Sequence, residues 1–349
     1  MSHMTYLEAS VVGLIQGVTE LFPVSSLGHN VLIPALIGGS WATDLNVSAA
    51  ESPYLAFIVG LHVATAVAMM VYFWRDWVRI IGGFFSSIRD REIATVDQKM
   101  AWMIILATVP VGLVGLVFEH EFRVLFGKPI RAAIFLVING LILYAGERFR
   151  TRKSLAADAE QAAGDEPVSA RAVVADAVMA DSVAGDTRAA HSPPRPAVAA
   201  HASGQRAVRQ QEASRAVQAD RRLVAIGYMQ ALVIGSAQVL ALLAGISRDG
   251  VVMVSGMFRG LSRQDAARFS FLLSTPVILA AGVLKVPDLT GHLGNGIHGQ
   301  ILVGSILSGV GAYLSVRFLM KYFQTRTLTP FAIYCLLFGL GSIVYLSVK

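Results

Sequence analysis

The chain carries one polar skeleton twice: residues 13–28 read GLIQGVTELFPVSSLG, and residues 235–250 read GSAQVLALLAGISRDG. In both copies a glycine, a glutamine, a serine and a second glycine recur at the same spacing within very apolar surroundings. The first copy also contains Glu20 and is followed directly by His29, whereas the second contains Arg248. Such side chains are costly in hydrocarbon and indicate a function. A repeated polar segment predicts two related halves that build one site between them.

The composition is that of a membrane protein. Hydrophobic residues make up 54% of the chain and charged residues 15%, whereas soluble domains carry about 25% charged residues. The mean hydropathy is +0.59. Three apolar runs follow each polar skeleton, and most approach the roughly 20 residues that a helical span requires. The single cysteine, Cys335, excludes a disulfide within the chain and a CxxC metal site.

Neither polar skeleton is predicted to form one straight span. Pro23 interrupts the first, because proline lacks a backbone donor and disfavours helix in the residue before it. The second is interrupted at residues 244–248. Each is therefore predicted to form a helix–loop–helix hairpin that enters the membrane and turns back, which is tolerated where the loop lines a polar cavity or is buried in protein.

The predicted fold is an all-α integral membrane protein of two inverted-topology repeats, each a re-entrant helix hairpin plus three transmembrane helices. Because each repeat contains an odd number of transmembrane helices, the second repeat is inverted relative to the first. The two hairpins then enter from opposite faces, and their tips can meet inside the bilayer. The repeats are predicted at residues 5–150 and 221–349. Within them we predict hairpins at residues 5–38 and 223–258, and spans at about 56–73, 100–118, 130–147, 266–285, 300–320 and 328–348.

The segment between the repeats, residues 154–220, is different in kind. From residue 156 onward it contains no Leu, Ile, Phe, Tyr or Trp, so it cannot bury enough apolar area to offset the entropy of ordering it. It is predicted to be a disordered or loosely helical, low-complexity insertion. Basic residues concentrate on the same face as this insertion, which predicts that this face is cytoplasmic and that both termini lie outside. The net charge of +6 reflects this excess and does not indicate nucleic acid binding.

Together the two loops offer a binding site for an anion. Ser25 and Ser26 lie at the predicted start of a short helix, where free N–H groups favour an anion. Ser247 and Gly250 offer the same geometry from the other half. Arg248 adds a planar donor fork suited to phosphate. Because lipid surrounds the site, the expected ligand is a phosphorylated lipid headgroup.

Glu20 and His29 indicate more than binding, because a carboxylate and an imidazole near a phosphate are typical of acid–base or nucleophilic catalysis. Glu20 shares a helix face with Gln16, and it could polarise His29, position water or bind a divalent cation such as Mg²⁺ or Ca²⁺. Gln16 and Gln238 are equally well explained by hydrogen bonds between helices, and Ser25 by a cap alone. His62 is expected to be structural or to line the substrate site.

Several stretches resemble the undecaprenyl pyrophosphate phosphatase family of bacterial inner membranes, the BacA/UppP type. Residues 16–29 (QGVTELFPVSSLGH) are similar to its (E/Q)xxxE segment and the following serine–histidine loop, and residues 244–250 (AGISRDG) look like its PGxSRSG loop. Residues 267–273 and 329–334 also look like family segments. The resemblance implies two inverted repeats. It also implies removal of the terminal phosphate of undecaprenyl pyrophosphate, which recycles the lipid carrier for cell-wall synthesis.

The resemblance also implies roles for single residues. The matching catalytic positions are Glu20, Ser26, His29 and Arg248. The nucleophile stays open among Ser26, His29 and water, with Ser26 preferred. From the residues of the two loops, the expected substrate-binding set is Gln16, Ser25, Gln238, Ser247 and Gly250, and the metal ligand considered is Glu20.

Four residues depart from the family pattern: Leu27, Ala244, Asp249 and Val252. An aspartate beside Arg248 could pair with it and weaken its hold on phosphate. Two alternatives therefore stay open, a transporter or flippase for polyprenyl phosphate lipids and a non-catalytic binder of them. The expected partners are a polyprenyl pyrophosphate lipid and the bilayer, without nucleic acid, and a homodimer is left open.

Overall fold

The computed structural model describes residues 4–46, 53–126, 128–164, 216–284, 291 and 296–349. Their regular secondary structure is entirely helical, which confirms the predicted all-α class. In chain order the helices are α1 (Tyr6–Thr19), α2 (Ser26–Ile37), α3 (Gly39–Asp44), α4 (Pro53–Tyr72), α5 (Trp74–Asp90), α6 (Val96–Phe126), α7 (Pro129–Gly164), α8 (Ala216–Val224), α9 (Tyr228–Ser236), a 3₁₀ helix (Ala237–Leu242), α10 (Arg248–Phe258), α11 (Arg263–Leu284), α12 (His298–Tyr322) and α13 (Thr329–Val348).

The chain divides into two units, one of residues 1–148 and 219–349 and the other of Phe149–Gln218. In the smaller unit α7 runs on to Gly164 and α8 begins at Ala216. Both ends of the segment predicted to be disordered are thus helical, consistent with the high helix propensity of their alanines. Residues 165–215 lie outside the described part of the chain, so their predicted disorder stays a prediction.

Several described helices are long and apolar enough to cross a membrane. Five qualify alone, and two sharply bent pairs raise the total to as many as seven. The pairs are Ala56–Tyr72 with Trp74–Asp90, bent by 87°, and Ala216–Val224 with Tyr228–Leu242, bent by 93°. Many outward-facing side chains of the single spans are large and apolar, among them Leu113, Leu116 and Leu314. The helices therefore present to their surroundings the surface that lipid requires.

Helix α5 is an addition to the predicted plan. It follows Phe73 at the 87° bend and ends at Arg91, which adopts a left-handed conformation with φ 54°. Its exposed apolar side chains recur every three or four residues and so share one face. Such a stripe is typical of a helix that lies on a membrane surface. The exposed stripe consists of Trp74, Val78, Ile81, Phe85 and Ile88.

The first helix of each polar skeleton packs against a long span of the other half of the chain. Helix α1 packs on α12, and α9 packs on α6. The repeated glycines make these contacts close: a Cβ atom at Gly13 would lie 2.5 Å from the carbonyl oxygen of Gly304, and one at Gly235 would collide with the backbone of Ala107. Small residues permit such backbone approach between membrane helices. The packing holds both polar loops inside the helical assembly.

A buried charge network fixes α11, whose first part supports the second loop. Arg268 of α11 contacts Asp76 of α5 at 3.0 Å and Asp220 of α8 at 2.9 Å. Arg79 reaches the same two carboxylates at 2.6 and 2.7 Å. Because every charge has an opposite partner, the group tolerates burial, and removing one member would leave an uncompensated charge.

Candidate active site

Each polar skeleton ends in a serine that caps a short helix. Ser25 accepts a hydrogen bond from the backbone N–H of Gly28, 3.2 Å away, at the start of α2. Ser247 accepts one from the backbone N–H of Gly250, 3.1 Å away, at the start of α10. The shared Ser-x-x-Gly spacing therefore produces the same N-cap in both halves.

The two loops are in direct contact. The Ser25 hydroxyl oxygen also accepts a hydrogen bond from the backbone N–H of Gly245, at 3.2 Å. A Cβ atom at Gly28 would lie 3.0 Å from the Cα atom of Gly245. Ser25 has φ 69°, a left-handed conformation that is costly for a residue other than glycine. The side chain of Ser25, whose backbone is strained, thus links the first loop to the second by a hydrogen bond.

Asn139 of α7 joins the loops a second time. Its Nδ2 donates to the carbonyl oxygen of Pro23 at 3.0 Å, and its Oδ1 accepts from the backbone N–H of Ser247 at 3.0 Å. The amide is fully buried, and it pairs two backbone groups that neither loop satisfies by itself. One side chain thus sets the distance between the two loops.

The carboxylate of Glu20 is the centre of the site. Its Oε2 accepts hydrogen bonds from Gln16 Nε2 at 2.8 Å and from the Ser26 hydroxyl at 2.5 Å. His62 Nε2 lies 3.3 Å from the same oxygen. Its Oε1 is paired with the guanidinium of Arg248, which comes from the other loop. A buried carboxylate that receives several donors, one of them cationic, is stabilised as the anion.

A second layer of hydrogen bonds orients the first. Gln16 Oε1 accepts from Asn30 Nδ2 at 2.7 Å, which fixes the amide so that its Nε2 points at Glu20. The Asn30 carbonyl oxygen accepts from the Tyr54 hydroxyl at 3.3 Å. All four side chains are buried. The position of the Glu20 carboxylate is therefore determined by α1 and α2 together.

Only some of the hydrogen-bond donors of the Arg248 guanidinium have partners in the described part of the chain. Its Nε is buried and has no hydrogen-bond partner among the described residues. Its side chain is 17% exposed, against 4% for that of Glu20, so Arg248 is the more accessible member of the pair. A buried donor without an acceptor calls for an explanation, and a ligand that supplies the acceptor is one. Phosphate oxygens match the donor fork of arginine.

His29 is turned away from Glu20. Its Nδ1 contacts the carbonyl oxygen of Ser25 at 2.7 Å, and its Nε2 contacts the Tyr334 hydroxyl at 2.7 Å. Its ring also stacks on Phe338 of α13, with centroids 5.2 Å apart. The structure therefore places His29 between the loop and α13, with both ring nitrogens in use and neither bonded to Ser26 or Glu20.

Asp249 does not pair with Arg248 by a hydrogen bond. Its Oδ1 accepts from the hydroxyls of Ser270 at 2.6 Å and Ser274 at 2.7 Å, both on α11. Its Oδ2 is buried and has no partner in the described part of the chain. The aspartate is wholly buried next to the arginine that the site needs.

The structure brings some of the predicted site residues together and leaves others apart. Gln16, Glu20, Ser26 and Arg248 form one hydrogen-bonded cluster, which Ser25 and Ser247 border as caps. Gln238 does not join it. Its Nε2 points at the carbonyl oxygen of Ala107 on α6 at 3.5 Å, the interhelical alternative foreseen for this residue.

Two residues of the site fall outside the sequence-based set, Asn139 on α7 and Tyr334 on α13, and a third, His62 on α4, is expected from the sequence only to be structural or to line the substrate site. Each is a polar side chain within an apolar span, which is the signal that could have identified them. No fixed spacing relates them to the two skeletons, since each reaches the loops from a different helix.

The surroundings of Glu20 offer few ligands for a divalent cation. No three His, Cys, Asp or Glu side chains come together as ligands among the described residues. The Glu20 oxygens face donors from Gln16, Ser26 and Arg248 rather than further oxygen ligands. These residues alone do not fit the oxygen-rich shell that Mg²⁺ or Ca²⁺ prefers. The predicted cation stays a prediction.

Comparison with known proteins gives concordant matches. Residues 9–175 and 192–341 match the family model described as bacitracin resistance protein BacA. The undecaprenyl-diphosphatase of Mycolicibacterium paratuberculosis is 53% identical over 354 residues, covering 100% of this chain and 99% of that protein. Undecaprenyl-diphosphatase 2 of Frankia alni is 54% identical, covering 97% of each. A more distant relative, undecaprenyl-diphosphatase 2 of Chromobacterium violaceum, is 33% identical, covering 98% and 99%.

Proposed function

This chain belongs to the bacitracin resistance protein BacA family, and we propose that it acts as an undecaprenyl-diphosphatase. The reaction removes the terminal phosphate of undecaprenyl diphosphate and leaves undecaprenyl phosphate, the lipid carrier for cell-wall synthesis. Relatives that bear this name align with nearly the whole chain at 53% and 54% identity. The observation that carries the proposal is the buried cluster in which Ser26 donates to Glu20 and Glu20 pairs with Arg248.

The first step is attack by Ser26 on the terminal phosphorus. The Ser26 hydroxyl already donates to Glu20 at 2.5 Å, so the carboxylate can take the proton as the new Oγ–P bond forms. The bond between the bridging oxygen and the terminal phosphorus breaks, and undecaprenyl phosphate leaves. Arg248 binds the phosphate oxygens and offsets the charge that develops on them.

The second step returns the enzyme to its starting state. Water attacks the phosphorus of the phosphoserine and the Oγ–P bond breaks, Glu20 returns its proton to the Ser26 oxygen, and both protons of the water leave on the inorganic phosphate. The N-termini of α2 and α10 flank the reacting group, because the loops that start them touch. Their free N–H groups favour the phosphate throughout.

Arg248 must change partner when the substrate binds. In this structure it is paired with Glu20. A diphosphate offers more oxygens and more negative charge than one carboxylate, so the fork moves to the lipid headgroup and leaves Glu20 free to accept the serine proton. The Nε–H of Arg248, which has no partner among the described residues, can donate an additional hydrogen bond to the diphosphate in this exchange.

The two alternative functions are not favoured. A transporter or a non-catalytic binder needs no hydroxyl aimed at a buried carboxylate, whereas a phosphatase does. Relatives at more than 50% identity are named as diphosphatases.

The architecture proposed for this function is a pair of inverted repeats. Reciprocal packing supports it, since α1 lies on α12 and α9 lies on α6. The matching N-caps at Ser25 and Ser247 support it as well. With the basic face inside, both termini lie outside the bacterial cytoplasmic membrane and the insertion lies in the cytoplasm.

Phosphate release tests the function. The full chain purified in detergent is incubated with undecaprenyl diphosphate, and inorganic phosphate and lipid monophosphate are measured with and without a chelator. We expect one phosphate for each lipid, and a loss of about 100-fold or more in Glu20→Gln, which keeps the shape of the side chain but not the proton acceptor. A folded wild-type protein that releases no phosphate would refute the proposal. Full activity in the chelator would refute the predicted cation.

A further inference from the structure

His62 of α4 contacts the carboxylate oxygen that receives the Ser26 hydroxyl. Its Nε2 lies 3.3 Å from Glu20 Oε2, and the Ser26 oxygen lies 2.5 Å from that atom. On the other side of the ring, Nδ1 lies 2.9 Å from the carbonyl oxygen of Ile58. The first span therefore delivers an imidazole to the centre of the site from outside both loops.

Both ring nitrogens of His62 face hydrogen-bond acceptors. The Ile58 carbonyl can only accept, and so can an ionised Glu20, which requires His62 to donate from both nitrogens. A histidine that does so is the cationic form. His29 differs, because its Nε2 faces the hydroxyl of Tyr334, which can donate. The two histidines thus have different environments, and only His62 is arranged to balance the charge of Glu20.

Glu20 consequently has two cationic neighbours, and they differ in what substrate binding does to them. Arg248 has a donor without a partner among the described residues and a more exposed side chain than Glu20, so a diphosphate can draw it away. His62 is anchored at its far side by Ile58. If both left, a buried carboxylate would be uncompensated, which is costly.

We propose that His62 is a positioning residue of the phosphatase reaction: its Nε2–H holds the Glu20 carboxylate against Ser26 while Arg248 is engaged with the lipid diphosphate. This inference rests on the proposed function. It assigns to His62 the place beside the carboxylate that the sequence predicts for His29.

Two substitutions separate positioning from simple packing. His62→Leu keeps an apolar side chain of moderate size without a donor, whereas His62→Gln keeps an N–H that can reach Glu20. With undecaprenyl diphosphate in detergent, we expect His62→Leu to lower kcat about 100-fold with KM changed by less than about threefold. His62→Gln should keep at least about tenfold more kcat than the leucine variant. His298→Leu is the matched control, because His298 is exposed at the start of α12, and it should equal the wild type.

Each result bears on the proposal. Wild-type kcat in His62→Leu, or equal losses in the leucine and glutamine variants, would overturn it. A rise in KM without a change in kcat would also overturn it, because that result describes a residue that only lines the substrate site.

Size-exclusion elution and thermal unfolding in detergent check folding. If the leucine variant fails to fold, His62→Asn, whose side chain is too short to reach Glu20, replaces it. Absence of hydrolysis by the wild-type protein would refute the proposed function itself. Hydrolysis by the wild-type protein together with an unchanged kcat in the His62 variants would refute this inference alone.

Discussion

The hydroxyl oxygen of Ser25 accepts a hydrogen bond from the backbone N–H of Gly245 at 3.2 Å, although the two residues are 220 positions apart in the chain. This bond and the two bonds of Asn139 connect the loops. The cluster around Glu20 takes Arg248 from one loop and Ser26 from the other, so it exists only while the halves stay packed together. Substitutions that break a connection outside the cluster should lower stability and activity together, whereas substitutions inside the cluster should lower activity far more than stability.

Asn139→Ala should impair both stability and turnover. It leaves the N–H of Ser247 buried without a partner, at a cost of about 1–3 kcal/mol, and it leaves the carbonyl of Pro23 only the weaker contact with the Cys335 thiol at 3.9 Å. We expect a lower melting temperature in detergent together with reduced phosphate release. Asn139→Asp is the comparison variant: it keeps an acceptor for Ser247 but replaces the donor to Pro23 with a second acceptor oxygen and a buried negative charge, so it should also melt below the wild type. An alanine variant with wild-type melting and wild-type kcat would contradict this role for the amide.

Arg248→Ala should lower kcat/KM by at least about 10²- to 10³-fold, because it removes the cation that offsets charge on the transferred phosphate. Arg248→Lys should recover little, since the ammonium keeps the charge but lacks the planar fork. Both variants should still insert and elute as the wild type does. Phosphate release at several lipid concentrations is the measurement. Near-normal hydrolysis by the alanine variant would show that the phosphate is bound elsewhere.

The local features of the site follow directly from the sequence. The repeated Ser-x-x-Gly spacing predicts two helix starts, and Ser25 and Ser247 cap them in the same way. Gln16 of α1 and Glu20, the C-cap residue of that helix, are four residues apart, share a face and form a hydrogen bond at 2.8 Å. These contacts lie within one helix or one turn, where spacing alone determines which side chains meet.

The contacts that cross the fold could not be predicted in this way. His62, Asn139 and Tyr334 meet the loops because α4, α7 and α13 pack in particular orientations, and no spacing in the chain encodes that. His29 illustrates the same limit. Its position after Ser26 suggests a shared helix face, but packing against α13 turns its ring toward Tyr334 and Phe338 instead.

Asp249→Asn should bind the lipid diphosphate more tightly. The asparagine keeps an oxygen for the hydroxyls of Ser270 and Ser274, and it removes a buried negative charge beside Arg248. Removing about 1 kcal/mol of repulsion between the Asp249 carboxylate and the lipid diphosphate would lower KM by about fivefold. Asp249→Ala instead leaves the hydroxyls without their acceptor and should lower stability by about 1–3 kcal/mol. A raised KM in the asparagine variant would show that the charge assists binding, for example by holding a cation.

Replacement of residues 165–215 by a short Gly/Ser linker should leave membrane insertion and hydrolysis largely intact. These residues lie outside the described part of the chain, and their sequence contains no Leu, Ile, Phe, Tyr or Trp. A segment without large apolar side chains has little to contribute to a core. Yield, elution and phosphate release of the shortened protein are the measurements. Failure of the shortened protein to fold would show that the segment is structural.

The choice between Ser26 and His29 as nucleophile can be decided by trapping the phosphorylated enzyme. The Ser26 hydroxyl donates to Glu20 at 2.5 Å, which is the pairing of nucleophile and base that such chemistry requires. His29 has its Nε2 against Tyr334 and its Nδ1 against the Ser25 carbonyl, so neither nitrogen is available for attack without rearrangement. We therefore expect Ser26→Ala to be inactive and His29→Asn to keep measurable turnover. Mass spectrometry of enzyme quenched during turnover should locate the phosphate on Ser26. Phosphate on His29 would reverse the assignment, and turnover by Ser26→Ala without any covalent species would assign the attack to water.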